Sequence, residues 1–166
     1  TPNVQASVEY LETLLGVDAI AGGSHPGLGT CNYLIGLGVD CYLEIIGPDS
    51  AQADFEGVRP YGIDDLTSGQ LVGWVARIDG LSSFVKSIAK QNIALGDVIP
   101  VSRQSPDGEL LEWKMSYFKN VADEALTVLP LLIDWGKTTN PSVRCSQGAS
   151  LAEFEIEYAK PEELKP

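Results

Sequence analysis

Two apolar runs, CNYLIGLG and CYLEII, follow one another across a short Gly-Val-Asp turn between residues 31 and 46. This pattern reads as a β-hairpin, and it constrains the chain more than any other stretch. Glu44 sits inside the second run between Leu43 and Ile45, where an ionised carboxylate is costly to bury without a partner. Upstream, the hairpin joins a glycine-rich segment, GGSHPGLG at residues 22–29, which carries the only histidine, His25. Its glycines and proline read as a loop free to approach a ligand closely.

The rest of the chain can be placed around this hairpin. Asn3 is a good N-cap, Val4, Val8, Leu11 and Leu15 recur at helical spacing, and Gly16 ends the helix. Residues 17–20 suggest a short strand before the loop. Residues 47–70, rich in turn formers and acids, read as a surface connection with a short helical piece near 51–55. A strand is expected at 71–78, a helix from 81 or 82 to 93, and strands at 98–104, 109–119 and 127–135. This second module, residues 71–136, has the order β-α-β-β-β. The first, residues 1–49, shows α, a short β, then β-β. That is the same order without its opening strand, so an internal repeat within a single domain, 1–166, is expected. The chain starts at Thr1 without an initiator methionine, and an upstream strand is expected. After a polar loop, residues 150–158 alternate, with Ala152, Phe154, Ile156 and Tyr158 on one face and Glu153, Glu155 and Glu157 on the other. They predict a final strand with one wet face.

Composition removes several functions. The 23 acids against 11 bases give a net charge of −12 with no basic stripe, which disfavours nucleic acid as a partner. No apolar run approaches the roughly 20 residues that span a bilayer and no leader is visible, so a cytoplasmic protein with no membrane partner is expected. Cys31, Cys41 and Cys145 are odd in number and lack a CxxC spacing, which predicts free thiols rather than disulfides or a thiolate zinc site. A turn at Gly38-Val39 would place Cys31 near Ile46 and Cys41 near Gly36, too far apart to bond.

Taken together, the order of elements and the hairpin resemble the glyoxalase-like domains of the vicinal oxygen chelate superfamily. The segment GGSHPGLGTCNYLIGLGVDCYLEIIGPD looks like that family's GG.HP..GT.N loop followed by its YLE[LI]I.PD strand, with looser matches in ELLEWKMSY, LPLLIDWG and NPS. The resemblance implies an α+β fold in which paired β-α-β-β-β modules form a cupped mixed sheet around a small-molecule cavity, with helices outside. In metal-dependent members a histidine on the first strand and a glutamate on the last strand of each module chelate a divalent ion that acts as a Lewis acid. Glu44 matches the first glutamate, whereas Gly73 falls where the second module's histidine would be. Asp134 lies near the second glutamate's place, or Leu132 does if the register shifts. With one or two of four ligands visible, no metal and no other cofactor is expected.

Glu44 is the leading candidate, a base whose pKa would rise in a dry cavity; the bland alternative is an edge-strand glutamate paired with Arg59, Arg77 or Arg103. His25 is a candidate general base or proton shuttle, or else a loop histidine that caps a turn. Asn32, on the strand that pairs with the Glu44 strand, could orient the acid, bind a substrate carbonyl, or make a turn-side hydrogen bond. Trp74, Trp113 and Trp135 could line a ligand cavity or pack a core. Asp134 is a second candidate acid, with a surface ion pair as its alternative. Two functions therefore compete. One is a lyase, isomerase or hydrolase that uses Glu44, with or without His25, to move a proton next to a carbonyl. The other is a protein that binds a small organic molecule in the concavity between the modules without chemistry, and a shared fold does not choose between them. The final strand either completes the fold within the chain or exchanges between two chains of a homodimer.

Overall fold

The computed structural model describes residues 1–91, 93–119 and 128–160. Asn92, expected in the second helix, Thr127, expected to open a strand, and the closing residues 161–166 lie outside them. The chain is α+β, as expected, and its described residues form one three-stranded and one four-stranded sheet. It groups into two compact units: residues 1–71, 103–110 and 139–153 form the first, and 72–102, 111–138 and 154–166 the second.

In the first unit, helix α1 (Val4–Leu15) begins where Asn3 accepts a hydrogen bond from the Ala6 amide at 3.0 Å. It ends at Gly16, whose left-handed backbone (φ 65) lets its N–H reach the Glu12 carbonyl at 2.8 Å. Val4 and Val8 are buried; Leu15 shares their face by spacing but stays exposed in the last turn. Strands β1 (Ile20–His25), β2 (Thr30–Gly36) and β3 (Tyr42–Pro48) form an antiparallel sheet in sequence order. Side chains alternate across it. Cys31, Tyr33 and Ile35 of β2 and Leu43 and Ile45 of β3 pack with Val4 and Val8 of α1. The opposite face therefore carries Thr30, Asn32 and Leu34 of β2 with Tyr42 and Glu44 of β3.

The hairpin closes over Gly38-Val39-Asp40, where the Leu37 amide meets the Cys41 carbonyl at 2.9 Å. Its register differs by one residue from the expected one, because the three-residue loop moves the pairing so that Cys31 faces Gly47 and Gly36 faces Tyr42. All three cysteines are free.

The larger correction concerns residues 20–25. The short strand expected at 17–20 instead runs over Ile20–His25, so His25 ends a strand and does not sit on a loop. The glycines there serve close packing rather than freedom. A side chain on Gly22 would collide with the Asn32 amide, and a Cβ on Gly23 would stand 2.7 Å from the Arg103 guanidinium. The ladder bulges between Ala21 and Gly23, where φ is +121.

The second unit holds β4 (Val75–Arg77), α2 (Leu81–Ile88), most of β5 (Ile99–Gln104) and of β6 (Leu110–Ser116), and β7 (Leu131–Asp134); the end of β5, Arg103 and Gln104, and the first residue of β6, Leu110, belong to the first unit. The sheet order is β4-β7-β6-β5, with β4 parallel and β6 antiparallel to β7. This is the expected β-α-β-β-β order. Its opening strand is shorter than expected, and Leu71, 83% exposed, precedes it. Residues 151–157 form no strand: both alternating sets are exposed, Phe154 and Ile156 among them. Alternation specifies a half-buried strand only where a sheet edge accepts it, and among the described residues no ladder engages the segment. No helix of the described residues is long and apolar enough to cross a membrane.

Candidate functional site

Three of the residues singled out from the sequence meet on the face of the first sheet that α1 does not cover. Asn32 lies diagonally across from Glu44, because Leu34 pairs with Glu44 and Ile46 with Asn32. That geometry brings the Asn32 Nδ2 group to 2.5 Å from Glu44 Oε1, to which it donates. His25 pairs with Thr30 at the end of the β1–β2 ladder, and its Nδ1 lies 2.9 Å from the Thr30 hydroxyl. The other ring nitrogen, Nε2, faces Glu44 Oε1 at 3.9 Å. Thus the Asn32 amide is bonded to the acid itself.

Electrostatics shift both groups. Burial pushes the Glu44 carboxyl above its ordinary value, opposed by the Asn32 hydrogen bond and the positive charge of Arg103. One third of the Glu44 side chain is nevertheless accessible, against 16% for His25, so a ligand can reach the acid. Burial, helped by Arg103 and opposed by Asp49, lowers the His25 imidazole to about 4. It is neutral at pH 7, and the 3.9 Å contact is then no ion pair. Two phenols complete the surroundings. Tyr42 is pushed upward by burial and by Glu44, and Tyr61 to about 12 by the same causes.

Of the three arginines that could partner Glu44, Arg103 is the one whose charge acts on the acid, while Arg59 bonds Asp64 at 2.6 Å and Arg77 bonds Asp79 at 3.1 Å. The Arg103 guanidinium is buried and donates to the Gly22 carbonyl, and it fills the space that a side chain on Gly23 would need. Tyr61 escapes a reading of the sequence, since it lies in a connection that looks like surface. Its one distinguishing mark is a left-handed backbone, φ 61, in a non-glycine residue. A cavity of about 470 Å³ in this unit is lined by Gly23, Ser24 and Pro26, which flank His25 in sequence, and by Gln104, Ser105 and Pro106, which follow Arg103.

The remaining candidates belong to the second unit. Trp113 and Trp135 meet with tilted rings, their centroids 5.3 Å apart, and with Asp134 line a cavity of about 470 Å³. Trp74 is separate from them: it precedes β4, donates to the Val128 carbonyl at 2.8 Å and contacts Phe154 at 5.2 Å. Asp134 makes no surface ion pair of the expected kind. It is buried, and its oxygens accept the Leu81 amide at 3.0 Å and the Gly136 amide at 2.9 Å. Although burial pushes its carboxyl up, those amides hold it below the ordinary range. Asp134 therefore caps α2, whose own N-cap, Gly80, offers no side chain.

These residues do not fit the family's divalent ion. Glu44 is engaged by the Asn32 amide, the Asp134 oxygens are occupied by backbone N–H groups, and Gly73 has no donor side chain. Among the described residues no three His, Cys, Asp or Glu side chains gather as ligands.

Comparison with known proteins bears on the fold. A search of curated proteins gave no match. Among solved structures, a hypothetical protein from Staphylococcus aureus is similar at 15% identity and TM-score 0.55, over 76% of this chain and 53% of that one. This chain thus spans about half the length of that protein. Methylmalonyl-CoA epimerase from Mycobacterium tuberculosis is similar at 14% identity and TM-score 0.54, covering 81% of each chain. The Streptomyces coelicolor methylmalonyl-CoA epimerase, a single-residue variant in complex with 2-nitronate-propionyl-CoA, gives 14% identity, TM-score 0.53 and coverage of 84% and 90%. At such identities the likeness concerns the fold. The family described as glyoxalase-like domain matches residues 1–166, the whole length, so the chain belongs to the glyoxalase-like domain family and has the vicinal oxygen chelate fold.

Proposed function

We propose that the protein binds a small carbonyl compound against Glu44 and moves a proton at the carbon beside the carbonyl, as a lyase or isomerase that needs no metal. The observation that carries this reading is the Asn32–Glu44–His25 arrangement. A carboxyl with a raised pKa is the right group to take and return a proton near neutral pH. The amide at 2.5 Å orients it. The neutral imidazole at 3.9 Å leaves a gap in which one substrate atom can lie within hydrogen-bond reach of both groups. Two solved structures of the same fold are methylmalonyl-CoA epimerases, and inversion of a carbon beside a carbonyl is a proton transfer of this class.

The test is deuterium uptake from heavy water into a panel of 2-substituted acyl thioesters and hydroxy ketones, followed by mass spectrometry. Wild-type protein should label at least one compound above the buffer rate, and Glu44→Gln should lower that rate by about 10²-fold or more. Binding of a panel member with no labelling would leave a sequestering protein instead.

A further inference from the structure

The imidazole sits at the last pair of the β1–β2 ladder, His25 with Thr30, so no further strand pairing steadies it. A side chain from a later segment does so. After β3, Asp49 caps the short 3-10 turn Ser50–Gln52, accepting the Ala51 amide at 2.9 Å. The Gln52 amide then reaches back over the turn that joins β1 to β2. Its Nε2 donates to the His25 carbonyl at 3.1 Å and to Asp49 Oδ2 at 2.9 Å, and lies 3.5 Å from the Thr30 carbonyl. Its Oε1 accepts the Gly27 amide at 3.1 Å. The turn already has its own closure, from the Leu28 amide to the His25 carbonyl at 3.1 Å. What Gln52 adds is a grip on the two residues that define the ring, His25 itself and Thr30, whose hydroxyl meets Nδ1.

We propose that Gln52 is a positioning residue for His25: its amide fixes the turn so that Nε2 stays opposite Glu44 and water stays off the ring. The inference rests on the reading of His25 and Glu44 as a working pair, but its test does not need a substrate. The groups facing the imidazole are Thr30 on β2, Glu44 on β3, Asp49 just beyond it and Arg103 on β5. None of them is removed by changing Gln52, but the Asp49 carboxylate loses the amide that holds it, so a shift in the ring's titration reports the ring's solvation together with its placement against that carboxylate.

The chain has a single histidine, which gives an unambiguous imidazole signal in proton NMR. In wild-type protein it should titrate near 4. Gln52→Met keeps the side-chain length and removes every hydrogen bond of the amide; the titration should then climb toward about 6.5 and the ring signal should broaden. Gln52→Asn, whose amide is too short to span both strands, should move it in the same direction and serves if the first variant does not fold. A folded variant with the wild-type titration and line width would overturn the proposal, as would a wild-type histidine that already titrates near 6.5. Failure of Glu44→Gln to affect deuterium uptake would instead strike the functional reading and leave the role of Gln52 standing.

Discussion

Replacing Gly22 with alanine tests the packing behind the site. Gly22 is not among the positive-φ glycines, so the alanine backbone is admissible and the effect is steric. The new methyl would collide with the Asn32 side chain, standing 2.7 Å from its Cγ, and Asn32, 4% exposed, has nowhere to retreat. Forcing extra volume into such a site typically costs about 1–3 kcal/mol. Displacing the amide also breaks its bond to Glu44, and a hydrogen bond to a charged group contributes about 1.5–3 kcal/mol. Because a third of the Glu44 side chain is accessible and water can replace the amide, about half of that is retained. The sum is roughly 2–4 kcal/mol, which for a urea slope of about 2 kcal/mol per molar moves the unfolding midpoint by about 1–2 M. The decisive comparison is a double-mutant cycle. Asn32→Ala alone should lose about 1–2 kcal/mol, softened because it also removes the buried, unpartnered Asn32 Oδ1. In the double variant the methyl meets no amide, so Gly22→Ala should then cost almost nothing, a coupling of roughly 2–4 kcal/mol. Effects that add to within about 0.5 kcal/mol would refute the reasoning.

Further outcomes follow from the same geometry. The folded pKa of His25, about 4, lies below its unfolded value of 6.5, so the unfolded chain binds more protons between them and stability falls as pH drops through that window. Replacing His25 with Gln should remove that slope, on the order of 3 kcal/mol in total, from chemical denaturation measured at pH 7 and pH 4. Glu44 runs the other way. Its folded pKa is raised, so the fold loses stability as pH rises above the unfolded value of 4.5, and Glu44→Gln should be more stable than wild type at pH 7 by a margin that vanishes near pH 4. A margin independent of pH would count against a raised carboxyl. Asp134→Ala should cost about 1–3 kcal/mol by leaving the Leu81 and Gly136 amides unpaired, with any Glu44-dependent deuterium uptake unchanged at temperatures where the variant is folded. Finally, dialysis against a chelator should leave that uptake intact; a loss restored by added divalent ion would show that the carboxylate does not act unaided.

The hairpin, the Asn3 cap and the β-α-β-β-β order could be read from sequence because each has a local signature: alternation, a capping side chain, or a period with stops. The β1 strand could not. Its two glycines signal conformational freedom to a local reading, whereas their reason lies in partners distant along the chain, the Asn32 amide and the Arg103 guanidinium, 81 residues from Gly22. The segment at 150–158 failed for the opposite cause. Alternation tells which side chains would share a face, but the existence of a free sheet edge is a property of the whole fold. Glu44 was legible as an acid out of place among apolar neighbours, and Arg103 as one of several cations able to answer it. Tyr61 and Gln52 lie in a polar connection where nothing local separates them from solvent-facing residues.

The alternation of the first sheet also bears on how such a protein can change over generations. Odd-numbered positions of β2 and β3, from Cys31 to Ile45, pack with the helix, while the even-numbered ones carry Asn32, Tyr42 and Glu44. Substitutions at even positions can therefore alter the face that carries Glu44 with the helix-packed core left as it is. The loop at Gly38–Asp40 guards that division. One residue added or removed there, if the strands slid to absorb it, would trade the parities and put the acid where the helix packs. Lineages sharing this sheet are expected to vary the partly exposed even positions, Tyr42 and Glu44, more than the buried Thr30, Asn32 and Leu34, and to keep the loop length fixed.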